Sequence, residues 1–218
     1  MDLGLAKGIA SPNAQVLHLS ESPDTAYAQR VRQVADLIEQ PSESAIESER
    51  VIPVSLLRPK LWVFGSSPAS ANLAATVGAS YATSVFHAGE SPASSASGYR
   101  SAFEMSRPDA APELCIAVAG VCADTKEEAS LIARGHRNAW IKPNVVGTPR
   151  DCAELFRHLS TLYGATEFVF LDIAVDSDVR LATCHHLAKV RGLASTSGWA
   201  YWLDSVGRGR ELECSLLP

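Results

Sequence analysis

Lys7, Gly8 and the run Gly65-Ser66-Ser67-Pro68-Ala69-Ser70 are the residues of this sequence whose types and spacing could hold an anion. Lys7 ends a short apolar run, Leu3-Gly4-Leu5-Ala6, and Gly4 and Gly8 near it allow close backbone approach by a ligand. The serine run joins a second apolar segment, Leu61-Trp62-Val63-Phe64, to an alanine-rich stretch. Backbone N–H groups in a first helical turn, with the hydroxyls of Ser67 and Ser70, could hold a phosphate, aided by the helix dipole. Lys7 would supply the positive charge. The same residues also fit a plain serine N-cap, with glycine and proline serving only the turn.

Other reactive side chains are less organised. His87 follows a third apolar run and would sit at the ligand-facing end of a parallel sheet. His185 and His186 are neighbours in a helical stretch, so they point in different directions and do not converge with Cys184 on a metal. The five cysteines are scattered, with no CxxC pair and no zinc-ligand spacing, so no metal site is expected. Cys115 and Cys122 lie in an apolar run and read as buried, reduced thiols of a cytoplasmic protein. Asp172 lies near the end of the last apolar run, a single carboxylate without an acid/base partner. No phosphate-binding Walker loop, nucleophile elbow or HExxH motif occurs.

The elements that must position these residues alternate. Apolar runs at 3–6, 61–64, 81–86, 114–122 and 168–173 read as strands. Helical patterns follow at 24–40, with Asp24 as its N-cap, at 69–77, stopped by Gly78, and at 99–106. Further helices are expected at 125–135, with Thr125 and Glu128 as a capping box, from Pro149 after a Thr148 cap, and at 177–190. Residues 41–50 read as a polar connector, 90–98 as a Ser/Ala/Gly loop and 136–147 as irregular. Continuous apolar strands alternating with amphipathic helices predict an α/β fold with a parallel sheet, open or closed into a barrel.

Composition narrows the function classes. With 46% hydrophobic and 20% charged residues the chain is globular, and its net charge of −5 argues against a nucleic-acid surface. No apolar run reaches the ~18 residues that span a bilayer, and the first dozen residues lack a signal-peptide core.

Five stretches in order resemble the bacterial luciferase-like, flavin-dependent monooxygenase family: DLGLAKG at 2–8, LWVFGSSPASANLAATVGASYATSVFHAG at 61–89, YRSAF at 99–103, VCADTKEEA at 121–129, and VVGTPRDCAELFRHLSTLYGATEFVFLDI at 145–173. The resemblance covers roughly residues 2–192 and implies a (β/α)8 TIM-barrel-like fold, with 193–218 as a C-terminal extension. It further implies FMN at the carboxyl ends of the strands. The cofactor-binding residues would be Lys7, Gly8, Gly65, Ser66, Ser67 and Ser70. The family ordinarily places arginine where Lys7 stands, so a point charge replaces a bidentate fork. The paired Tyr99 and Arg100 resemble a family YR pair, expected here to serve packing and a surface ion pair.

DLGLAKG resembles the family's fourth strand, so the barrel is expected to lack its first three β/α units. Those units supply part of the flavin pocket and, in luciferases, a histidine base that no residue here inherits; His87 is the one candidate for a catalytic contact. The resemblance implies an oxidoreductase, a monooxygenase that acts with O2 on a small organic substrate. It would use reduced FMN from a separate reductase, or a deazaflavin as related barrels do. The alternative is a non-catalytic truncated barrel serving as a flavin-binding or partner subunit. Either form would expose sheet edges, which a homo- or hetero-oligomer, or the aromatic tail with Trp199, Tyr201 and Trp202, would cover. At 218 residues the chain is shorter than a barrel of typically ~250.

Overall fold

A computed structural model describes residues 2–7, 23–39, 59–87 and 92–190. Gly8, the connector at 41–50 and the extension at 193–218 lie outside the described residues. Strands and helices alternate along the described chain: β1 (Asp2–Ala6), α1 (Pro23–Glu39), β2 (Lys60–Phe64), α2 (Pro68–Val77), β3 (Ser80–Ser84), α3 (Pro92–Ser106), β4 (Leu114–Cys122), α4 (Lys126–Ala133), β5 (Val145–Gly147), α5 (Pro149–Tyr163), β6 (Glu167–Asp172) and α6 (Ser177–Val190).

The strands form one sheet in the order β1-β2-β3-β4-β5, with β6 also paired to β4. The pairings β1–β2, β2–β3, β3–β4 and β4–β5 are all parallel, with Gly4 opposite Trp62, Phe64 opposite Ala82, and Ala82 opposite Cys115. Parallel neighbours need crossover connections, which the intervening helices supply. The architecture is therefore α/β, as the alternation in the sequence requires.

Two compact units divide the chain: Met1–Ala119 with Ala139–Lys142 and His158–Leu171, and Gly120–Asn138 with Pro143–Arg157 and Asp172–Pro218. In the first, β2 and β3 pack against α2, and β3 also meets α3. Val63, Tyr81, Leu114 and Ile116 are buried there with Ala74, Ala75, Tyr99 and Phe103. The Tyr81 and Tyr99 rings lie 5.3 Å apart and Tyr99 meets Phe103 at 5.6 Å, a tilted aromatic row. Tyr99 spends its hydroxyl on Ala79 O at 3.0 Å, and burial pushes its pKa up to about 12. In the second unit, Thr183 of α6 donates to Cys122 O at 3.1 Å, and buried Ala129, Cys152 and Ile173 fill the interior.

Several boundaries differ from the sequence reading. α1 begins at Pro23, so Asp24 lies inside the helix rather than capping it; proline's fixed φ suits the first helical position. α3 starts at Pro92, so most of the expected 90–98 loop is helix. Its buried Ser95, Ala96, Tyr99 and Phe103 recur at helical spacing, and their packing overrides a loop-like composition. Residues 145–147, taken as irregular, pair with β4 as β5. On α5, Phe156 and Leu159 are buried and Leu162 is exposed. The Arg100 guanidinium lies against Gly164, where a Cβ would collide with it.

Candidate functional site

The residues of the expected anion site lie at the carboxyl ends of β1 and β2. β2 ends at Phe64, Gly65-Ser66-Ser67 turns the chain, and α2 begins at Pro68. Ser67 is the N-cap in extended conformation, and its hydroxyl accepts from Ser70 N–H at 3.3 Å. Ser70 Oγ in turn donates to Ser67 O at 2.7 Å and lies 3.2 Å from Ser67 Oγ. Both hydroxyls thus stand together at the helix start. Pro68 has no N–H to satisfy, and first-turn N–H groups lack intrahelical acceptors, so this end carries the positive pole of α2.

Glycine at 65 follows from this packing. A Cβ there would collide with the Ser70 side chain, so any larger residue would disturb the hydroxyl pair. Gly65 N–H donates to Ala82 O at 3.0 Å, which carries the strand pairing into the turn.

A groove of about 360 Å³ runs along this turn, lined by Lys7, Tyr27, Arg32, Phe64, Gly65, Ser66, Ser67, Ser70 and Asn72, among others. It gathers five of the six residues expected to bind the cofactor; the sixth, Gly8, is outside the described residues. The groove also brings in Arg32 and Tyr27, which the sequence reading did not single out. Tyr27 Oη donates to Leu5 O at 3.1 Å and so ties α1 to the end of β1, beside Lys7. Burial raises its pKa. Ala28 and Arg32, one helical turn apart, share the face of α1 that lines the groove. Their spacing is legible in the sequence; the neighbour that face meets is not.

The donor set fits a phosphate. Lys7 and Arg32 bring two formal positive charges, and Arg32 supplies the planar fork that lysine lacks. Ser67 adds a hydroxyl donor at the positive end of α2, while the Ser70 hydroxyl and the N–H groups of Ser70 and Ala71 are bonded to Ser67 and hold the turn.

His87 lies elsewhere. It is exposed, follows β3, and is not among the residues lining this groove. Its Nδ1 sits 2.6 Å from Ser84 Oγ, its ring 4.7 Å from that of Phe86, and it forms an isolated bridge with Ile141. Asp172 Oδ1 accepts from Ala174 N–H at 2.8 Å, so this carboxylate caps the turn after β6. His186 faces Asp124 at 3.7 Å, while the buried Nε2 of adjacent His185 has no partner. Among the described residues no three His, Cys, Asp or Glu side chains gather as metal ligands, and no helix is long and apolar enough to cross a membrane. Cys115, Cys122 and Cys152 are free and buried, and burial, with the Glu167 charge, pushes the Cys115 thiol up to about 11.

No family model matches the sequence, and no curated protein matches it. Solved structures do. Apo-MsnO8 superposes with a TM-score of 0.73 at 21% identity, over 88% of this chain and 68% of its own. The oxygenating constituent of 3,6-diketocamphane monooxygenase from the CAM plasmid of Pseudomonas putida, solved with FMN, gives 0.59 at 14% over 86% and 69%. An F420-dependent secondary alcohol dehydrogenase, solved with an F420-acetone adduct, gives 0.58 at 10% over 87% and 69%. At such identities the likeness establishes the fold: an α/β chain on the TIM-barrel plan of the luciferase-like flavin monooxygenases.

Proposed function

We propose that this chain binds the phosphate of FMN in the groove between Lys7, Arg32 and the start of α2. We propose further that it serves as a flavin-dependent oxidoreductase, a monooxygenase acting on a small organic substrate. The observation that carries this reading is one groove lined by two cationic residues, Lys7 and Arg32, and by a serine-capped helix start. When bound, reduced FMN from a separate reductase would supply the reaction with O2. The chain's own residues have other tasks. Lys7 and Arg32 neutralise the phosphate, the Ser67 hydroxyl donates to it, Ser70 braces Ser67 in the turn, and Phe64 offers an apolar wall to the rest of the ligand. A deazaflavin carries a phosphate too, and the groove suits either cofactor.

A second reading, a flavin-binding partner subunit without its own catalysis, is favoured by one observation: His87 stands outside the groove. Exposed Phe64, Val169 and Leu171 on β2 and β6 offer apolar surface that a further subunit would cover. Buried free thiols suit a reducing, cytoplasmic setting.

Purification after addition of FMN tests these readings. A yellow protein that consumes O2 with reduced FMN and yields an oxygenated product supports the enzyme; a yellow, inactive one supports the partner. A colourless protein that takes up neither FMN nor a deazaflavin overturns both. Lys7→Ala is expected to raise the FMN dissociation constant about tenfold, the scale of one exposed charge-assisted contact. An unchanged constant in a fluorescence titration removes Lys7 from the site.

A further inference from the structure

We infer that Ser95 and Tyr81, neither of which lines the groove, are positioning residues that set the polarity of the phosphate turn. The inference rests on the phosphate reading above. Three consecutive carbonyls, those of Gly65, Ser66 and Ser67, could each turn a negative dipole end toward a bound anion. Each is held by a donor instead. Tyr81 Oη donates to Gly65 O at 2.6 Å and Ser95 Oγ donates to Ser66 O at 3.0 Å. Ser67 O accepts from Ala71 N–H at 3.2 Å and from Ser70 Oγ. Gly65 N–H is fixed to Ala82 O.

The first two donors come from behind the turn. Tyr81, on β3, is 0% exposed and Ser95, on α3, is 1% exposed. Fixing both carbonyls on buried hydroxyls orients the two following peptide planes. With their oxygens held on buried hydroxyls, the opposite, N–H edges of those planes point away from the core, and Ser66 and Ser67 line the groove. This is the preorganisation an anion needs, because no peptide must rotate when the ligand arrives.

Ser95 is singled out among its neighbours. α3 carries Ser94, Ser95 and Ser97 in its first turns, and Ser97 makes only a local bond to Ser94 O at 3.2 Å. Ser95 alone of the three is buried, and it reaches across 29 residues to the turn. A serine at this place in a helix would ordinarily bond its own backbone.

The test compares FMN with riboflavin, which lacks the phosphate, by fluorescence titration of the full chain. Ser95→Ala and Tyr81→Phe are each expected to lower the preference for FMN over riboflavin three- to tenfold. Ser95→Thr should restore it, and Ser97→Ala should leave it unchanged. Loss of general packing would weaken both ligands alike and leave the ratio intact. Should Ser95→Ala fail to fold, Tyr81→Phe, which removes one oxygen and keeps the ring, decides alone. A wild-type preference for FMN that survives in Tyr81→Phe, or in both variants where both fold, overturns the positioning role and leaves the phosphate site standing. A wild-type protein with no preference removes the phosphate site, and the positioning role with it.

Discussion

Two glycines at helix ends show how closely single residues are specified. Gly78 and Gly164 both have φ of 69°, the left-handed conformation, and each is covered by an arginine. Arg107 lies against Gly78 and also bonds Glu39 Oε1 at 3.1 Å and Val77 O at 3.4 Å. Gly78 caps α2 through its N–H, which reaches Ala74 O and Ala75 O. Gly78→Ala therefore meets two costs, a strained backbone and a displaced guanidinium. Denaturant unfolding should show a loss of about 1–2 kcal/mol or more. A loss of only a few tenths would mean that the cap relaxes into another conformation. At this scale the sequence was partly readable. Gly78 as a stop, and Ser67 with Ser70 as a pair, follow from residue type and local spacing, and Lys7 reaches them as the end of the strand parallel to β2. Arg32 does not, because its role depends on α1 meeting a turn more than 30 residues further along.

The elements are held by caps whose chemistry is local, and these were the most legible features. Thr125 accepts from Glu128 N–H at 3.1 Å, as its spacing predicts. At the start of α5, Thr148 N–H and Oγ1 donate to Asp151 Oδ2 at 2.9 and 2.8 Å, while Lys126 from α4 reaches Asp151 Oδ1 at 2.9 Å. The Thr148 backbone N–H, then Lys126 and the Thr148 hydroxyl, hold the Asp151 carboxyl down at about 2. A depressed carboxylate stabilises the fold above its ordinary value of 3.8, and that contribution disappears as pH falls toward 2. Asp151→Asn should accordingly lower the melting temperature at neutral pH, and the gap from wild type should close by about pH 2. A gap that persists there would assign the effect to shape rather than charge. Where the elements depart from the local pattern, the cause is non-local. β5 is only three residues long, too short to display a period, and exists because Gly120–Cys122 offers it an edge. The first turns of α3 are helical because their buried residues have a core to enter.

Across the whole molecule the strands differ in character from one end to the other. At their amino ends, Lys60 bonds Glu113 at 2.7 Å and approaches Glu167 at 3.9 Å, with its ammonium 5.6 Å from the Trp62 ring. Ser80 donates to the same Glu113 carboxylate at 2.9 Å, and Trp62 Nε1 donates to Asp2 at 3.2 Å. The bond from Lys60 holds the Glu113 carboxyl below its ordinary 4.5. Its contribution is therefore present above that value and is lost as pH falls through the lowered one. The pair is well exposed, so Glu113→Gln should cost no more than about 1 kcal/mol, and less in high salt. A salt-independent loss of several kcal/mol would show that the cluster is structural in some other way. The parallel sheet was legible from alternation; this cluster was not, because its members come from five separate places in the chain. Its separation from the groove has an evolutionary consequence. The charges at one end and the groove lining at the other can mutate independently, so selection could reshape the groove without first rebuilding the sheet.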